Sequence, residues 1–146
     1  MGPILNIFPE GCTTNGTKLI QFKKGAFNSL RAVRPVVITY NSPDWGLSPT
    51  QDVLGFVNSQ FLMQACGYIT VNVDVLPVFL PNDYFWKNHW HEGKEEKWQA
   101  YARVIRDIMA KQGGFGLSDC TMEDKFKFQS ILKEQKAIKK QRVKNE

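Results

Sequence analysis

The segment Glu95 to Gln112 constrains this chain most. Trp98, Ala102, Ile105 and Met109 recur three or four residues apart, which places them on one face of an α-helix. Gly113-Gly114 follows and ends it. A helix with one apolar face has to bury that face against another layer. The chain supplies β-type material for that layer. Val36-Val37-Ile38-Thr39-Tyr40 is rich in β-branched residues, which favour a pleated surface, and Asn41-Ser42-Pro43-Asp44 is turn chemistry that closes it. Ile69, Val71, Val73 and Val75 alternate with Thr70, Asn72 and Asp74, the pattern of a strand with one buried face. Ile4 to Phe8 is apolar without strict alternation and reads as a short central strand.

Between the β-type segments lie helical ones. Ser48-Pro49-Thr50-Gln51-Asp52 has a capping residue, a proline suited to the first turn and an acid suited to the positive end of the dipole. Val53, Leu54, Val57, Phe61 and Ala65 continue at helical spacing, and Gly67 can stop the run. Asn82 to Gly93 is an aromatic and polar insertion carrying Trp86, His89, Trp90 and His91. Thr121 and Asp124 form a capping box for a last helix that runs into Lys139-Lys140-Gln141-Arg142. Alternating strands and helices predict an α/β layer fold. No internal repeat or low-complexity linker interrupts it.

The chain has 146 residues, enough for one domain with a core. Its net charge is +5, unevenly placed: from Lys125 onward eight Lys or Arg stand against two Glu, a surplus of six, which leaves the rest at minus one. Residues 1–124 therefore read as the globular unit and residues 125–146 as a basic helical tail. A charge run of this kind is by default a solvated helix face. Its functional alternative is contact with an anionic membrane surface. No stacking motif or known nucleic-acid module accompanies the charge, so nucleic acid is set aside. The cysteines, Cys12, Cys66 and Cys120, are three and far apart, which fits a reducing compartment rather than a disulfide framework. No N-terminal targeting signal is visible. No apolar stretch reaches the ~20 residues a spanning helix needs. Val53 to Ile69 comes nearest and reads as a buried or interfacial helix.

Chemistry concentrates in Phe8-Pro9-Glu10-Gly11, followed by Cys12-Thr13-Thr14-Asn15-Gly16-Thr17 and, later, Phe22-Lys23-Lys24-Gly25-Ala26-Phe27. Small residues after a strand leave backbone N–H groups free to converge on an anion. Such residues more often make an ordinary turn. Together with Val33-Arg34-Pro35-Val36-Val37-Ile38, these blocks resemble two signature blocks of the glycerolipid and lysophospholipid acyltransferases, most closely the lysophosphatidylcholine acyltransferase branch. Val75-Leu76-Pro77-Val78 and Ser118 to Asp124 fall where that branch has similar segments. The resemblance covers roughly residues 4 to 125 and implies the C-terminal half of an acyltransferase-type domain, a mixed sheet flanked by helices.

In that family a His and an Asp with four residues between them act as general base and orienting group, and the block lies well before the Phe-Pro-Glu-Gly stretch. Only seven residues precede Phe8, so the block is not expected in its usual place. With four residues between, His91 is followed by Glu96 and His89 by Lys94. Neither matches, and the chain alone is expected to be inactive, with no catalytic residue of its own. His89-Trp90-His91 lacks a third ligand at recognisable spacing, so no metal is expected. By position the resemblance makes Glu10, Gly11, Cys12 and Thr13 acceptor-binding, with Lys18 and Lys23 as basic candidates. Many members place an Arg where this chain has Thr13, but the lysophosphatidylcholine branch also lacks it. Lys23 supplies charge to the site or sits on the surface; the two readings stay level. Cys12 is expected to be a small filler, since no His is near it in sequence and the family is not understood to use a Cys nucleophile.

The implied reaction is transfer of a fatty acyl group from acyl-coenzyme A, a co-substrate rather than a cofactor, to a lysophospholipid or glycerol phosphate. The implied setting is an intracellular membrane, endoplasmic reticulum or mitochondrial, with membrane lipids and a protein partner or an N-terminal half supplying what is missing. The alternative is a non-catalytic structural or lipid-contacting subunit built on a degenerate form of the same fold.

Overall fold

The computed structural model describes residues 5–41, 56–65 and 69–144. In chain order they form β1 (Lys18–Leu19), a 3-10 turn (Lys24–Ala26), β2 (Val36–Asn41), α1 (Phe56–Ala65), β3 (Thr70–Val75), α2 (Asp83–His89), α3 (Lys97–Gly113), β4 (Gly116–Leu117) and α4 (Met122–Lys144). Strands and helices mix, so the α/β class stands. The parallel and antiparallel pairings fall in two separate ladders. β1 pairs parallel with β4, Lys18 opposite Gly116 and Leu19 opposite Leu117. β2 pairs antiparallel with β3, from Val36 opposite Val75 to Asn41 opposite Thr70. Beyond that ladder Val33 and Phe79 exchange both backbone bonds, at 2.9 and 2.8 Å.

α3 organises the core. Its N-terminus carries a capping box in which Glu96 and Gln99 exchange side-chain-to-backbone bonds, and Gly114, at φ 67°, closes the other end in the left-handed conformation that suits glycine. Ala102 and Ile105 are buried as the periodicity predicts, while Trp98 and Met109 are half-buried at its edge. Tyr101 is fully buried. Its ring meets Phe27 edge-on with centroids 5.3 Å apart, and Phe79, Phe85 and Trp86 surround it. Its hydroxyl lies 3.0 Å from the Arg31 carbonyl and 3.1 Å from that of Phe79, so it can donate to either. Burial pushes the phenol up to about 12. The insertion holding Trp86 and His89 is thus no loose loop: it opens with α2, capped by Asn82, whose side-chain oxygen accepts the Phe85 N–H at 2.9 Å.

Three expectations need correction. Leu5 to Phe8 form no strand, and Leu5, Ile7 and Phe8 are exposed. An apolar run becomes a strand only where a partner completes its ladder, and among the described residues none does. Among the described residues the first strand is instead Lys18–Leu19. β3 forms as predicted but buries neither face: Val71, Val73 and Val75 are all exposed, because among the described residues no second layer packs over them. α1 falls inside the predicted Val53–Ile69 helix, yet Val57 and Phe61 are exposed rather than buried. The helix start at residues 48–55, the turn at 42–44, Cys66 and the Gly67 stop lie outside the described residues. Among the described residues no helix is long and apolar enough to cross a membrane.

Candidate functional site

The Phe8 to Gly11 stretch forms a turn in which the Gly11 N–H donates to the Phe8 carbonyl at 3.1 Å. Gly11 has φ 71°, a conformation other residues resist. A Cβ there would also meet Lys23 Cδ at 3.2 Å and Met122 Sδ at 3.4 Å. Two backbone bonds fasten the neighbourhood: the Lys23 N–H donates to the Pro9 carbonyl at 2.8 Å and the Gln21 N–H to the Cys120 carbonyl at 3.1 Å. The turn, the Phe22 to Phe27 block and the start of α4 are therefore brought together from three separate places in the sequence.

An open groove of about 390 Å³ lies where these parts meet, lined by Gln21, Phe22, Lys23, Lys24, Gly25, Trp98, Thr121, Met122 and Glu123. Its lining joins apolar side chains, Phe22, Trp98 and Met122, with charges of both signs. Lys23 Nζ lies 3.5 Å from Glu123 Oε1 and Lys24 Nζ 3.3 Å from Glu96 Oε2. Both pairs are exposed, so each is individually weak and exchangeable. Half of the predicted capping box is present: Asp124 Oδ2 accepts the Thr121 N–H at 2.9 Å and also its hydroxyl at 3.0 Å, so the hydroxyl donates to the carboxylate. These bonds hold the Asp124 carboxyl below its ordinary value. Bonds to its own backbone and to Thr121 do the same for Glu123.

The six sequence-derived candidates divide. Lys23 lines the groove and Gly11 abuts its wall. Glu10 turns inward instead: its Oε2 accepts the Ile20 N–H at 3.1 Å. Burial raises its carboxyl above the ordinary value, partly offset by the Ile20 bond and by the charges of Arg106 and Lys125. Thr13 is held from α4, where Lys125 Nζ donates to its carbonyl and to its hydroxyl oxygen, the latter at 3.1 Å. Cys12 is half-buried. Lys18 is exposed on β1 with its stem beside Gly116 and does not line the groove.

Sequence reasoning missed Arg106. Its guanidinium donates from α3 to the Leu19 carbonyl at 2.8 Å and to the Ser118 carbonyl, clasping both edges of the β1–β4 ladder. Nε of the same group is buried with no hydrogen-bond partner among the described residues. Nothing local in the sequence marks Arg106 as inward; only the ladder it spans gives it acceptors. Lys24, Trp98, Met122 and Glu123 were also missed as groove residues. The histidines stay apart from the groove. His89 packs on Phe85 with ring centroids 5.3 Å apart. His91 Nδ1 lies 3.7 Å from Glu95 Oε1, an oxygen that Arg103 already holds at 2.8 Å. Among the described residues no three His, Cys, Asp or Glu side chains gather as a metal-binding set.

This chain is 35% identical over 122 residues to lysophosphatidylcholine acyltransferase 1 of Rattus norvegicus, a match that covers 84% of the chain. The lysophosphatidylcholine acyltransferase of Drosophila melanogaster is 33% identical over the same length. The chain's kinship is with the lysophosphatidylcholine acyltransferases. A lysophospholipid acyltransferase of Arabidopsis thaliana is also similar, 32% identical over 131 residues, 89% of this chain and 30% of that protein. The chain spans about a fifth of the length of the animal lysophosphatidylcholine acyltransferases it matches, 21% in each of the two named. No protein-family model and no solved structure matches it.

Proposed function

We propose that this chain is the acceptor-binding part of an acyltransferase that moves a fatty acyl group from acyl-coenzyme A to a lysophospholipid or glycerol phosphate. One observation carries the reading: the Glu10–Gly11 turn, the Lys23–Lys24 pair and the start of α4 meet at one open groove. Lys23 and Lys24 meet the phosphate of the acceptor. Glu10 and Gly11 work from behind them, Glu10 by pinning the Ile20 backbone and Gly11 by leaving room for the Lys23 stem. The acceptor hydroxyl attacks the thioester carbonyl, and coenzyme A leaves as the thiol. The proton of that hydroxyl needs a general base; His89 and His91 both lie away from the groove, so no histidine among the described residues is placed to take it.

The test has two arms on the full chain. Glycerol 3-phosphate binding should weaken about tenfold or more in Lys23→Gln, the loss expected for one hydrogen bond to a charged group, ~1.5–3 kcal/mol. Unchanged binding sinks the phosphate site. With acyl-coenzyme A and lysophosphatidylcholine the chain should release no thiol. Turnover that disappears in His91→Ala overturns the missing base and makes His91 the base.

α4 adds a second contact in this reading. Phe126, Phe128, Ile131 and Ile138 are each about half exposed among the lysines. Phe128, Ile131, Leu132 and Ile138 fall along one side of the helix, while Phe126, two residues before Phe128, projects from the other. That stripe settles on an anionic membrane surface with lysine stems alongside. Co-sedimentation with anionic vesicles should disappear at high salt and on deleting the residues after Lys125. Equal binding to neutral vesicles rejects the membrane contact and leaves a protein neighbour for the helix.

A further inference from the structure

Three side chains at the start of α4 bear on the Phe8 to Thr13 segment and on Lys23. Met122 Sδ comes within 3.4 Å of where a Cβ on Gly11 would stand. Glu123 Oε1 lies 3.5 Å from Lys23 Nζ. Lys125 Nζ donates to the Thr13 carbonyl and, at 3.1 Å, to its hydroxyl oxygen. Just ahead of them the Cys120 carbonyl accepts the Gln21 N–H at 3.1 Å, which ties the start of the helix to the backbone beside Phe22. The first turn of α4 is thus fixed against the groove. Among the described residues Glu123 is the one acid in its lining.

Glu123 does not depend on Lys23 for its charge. Its carboxyl is held below the ordinary value first by a bond to its own backbone and next by Thr121, with Lys23 contributing less. An acid in the first turn of a helix is also favoured by the helix dipole. The negative charge therefore stays at the groove whether or not Lys23 turns away. Lys23 is 41% exposed on a long, flexible stem, and an exposed pair of this kind exchanges readily. The Lys24–Glu96 pair differs. Glu96 caps α3, and its Oε2 also accepts the Trp98 N–H at 2.8 Å, so that carboxylate serves the fold.

We propose that Glu123 is an internal competitor for the anion that Lys23 receives. Its carboxylate holds the lysine, and an incoming anion must displace it or share the lysine with it. Either way the ligand meets a like charge at close range, which lowers its affinity. This rests on the reading of the groove as the acceptor site and adds to it the residue that sets how much negative charge the groove tolerates. The repulsion scales with the charge of the ligand, so a dianionic phosphate monoester meets about twice that felt by a monoanionic diester. Lys23 then supplies anion affinity, and Glu123 limits it.

The test titrates the full chain by calorimetry, at mildly alkaline pH, with glycerol 3-phosphate as the dianion and dimethyl phosphate as the monoanion. Glu123→Gln should bind glycerol 3-phosphate about two- to fivefold more tightly, the range open to one exposed ion pair. The gain for dimethyl phosphate should be smaller. Glu123→Ala should gain as Glu123→Gln does, which separates the lost charge from any new bond made by the amide. Glu134→Gln removes the same charge about three turns further along α4, outside the groove, and should leave both affinities unchanged. In a Lys23→Gln background the gain from Glu123→Gln should largely disappear, because no Lys23 ammonium is left to release. Unchanged or weaker binding in Glu123→Gln overturns the competitor. So does a full gain in the Lys23→Gln background, an equal gain for the two probes, or an equal gain in Glu134→Gln. The acceptor reading is judged separately, by whether Lys23→Gln weakens glycerol 3-phosphate binding while Glu123 is in place. If neither wild type nor Glu123→Gln binds either probe, both readings fall.

Discussion

Two apolar surfaces in this chain are written in similar residues and end differently. Around Tyr101 the aromatic rings of Phe27, Phe79 and Phe85 close on one another and on Ile105 of α3. On the β2–β3 ladder, Val36, Ile38 and Tyr40 stand opposite Val75, Val73 and Val71 on one face, and all six remain 37–61% exposed. The opposite face of the same ladder carries Thr39, Asn72 and Asp74 together with Val37, the buried residue of β2, which lies against α3. Alternation sets which side chains share a face. It says nothing about whether a second layer arrives to cover that face. A contiguous exposed apolar patch of this kind marks a surface made for contact.

The comparison is broken most directly at its closed end. Tyr101→Ala removes the ring at the centre of the cluster and should lower the unfolding free energy by about 3–5 kcal/mol, read as a shift in denaturant midpoint at unchanged slope. A loss under about 1 kcal/mol would mean that the cluster around Tyr101 is not the stabilising core. Arg106→Met comes next. It deletes the bonds to the Leu19 and Ser118 carbonyls; the Leu19 carbonyl keeps the Ser118 N–H at 3.0 Å, while the half-buried Ser118 carbonyl loses its charged donor, a loss of about 1.5–3 kcal/mol. If the midpoint does not move, the clasp across β1 and β4 contributes nothing.

The open end should respond oppositely. Val73→Ser, in the middle of the uncovered face, should change unfolding free energy by no more than about 0.5 kcal/mol, while reducing self-association in sedimentation velocity. A large loss of stability would show that this face is covered in solution.

The same contrast explains what could be read from the sequence and what could not. The α3 periodicity, the Thr121–Asp124 cap, β2, and the extent and alternation of β3 were legible because each is specified by residues within a few positions of one another. The strand expected at Ile4 to Phe8 was not, since its partner would have to come from elsewhere. At the groove, Lys23 and Gly11 were legible through the family signature. Trp98 was not: from sequence it is one more apolar position on the α3 face, and only the fold sets it beside Lys24, far away along the chain. Glu10 was found for its position in a motif, but its inward direction depends on Ile20, whose N–H it accepts.

That inward direction yields the smallest effect and a distinctive sign. Burial raises the Glu10 carboxyl above its ordinary value, so the folded state holds the proton more readily than the unfolded one. The stability this group contributes is fully present below the unfolded value near 4.5 and is lost as pH rises through the higher folded value. Asp124 and Glu123 run the other way. Their folded values are depressed, so their contribution is present above the ordinary carboxylate range and fades as pH falls. A pH titration of the wild type alone sums these opposed trends. The difference between Glu10→Gln and wild type isolates Glu10, because the Gln oxygen can still accept the Ile20 N–H while carrying no charge. The variant should match wild type at the acidic end and become the more stable of the two as pH rises into the neutral range. A gap that opens in the opposite direction would mean that the attraction of Arg106 and Lys125 outweighs burial, and that Glu10 is held in place as a charged partner of those cations.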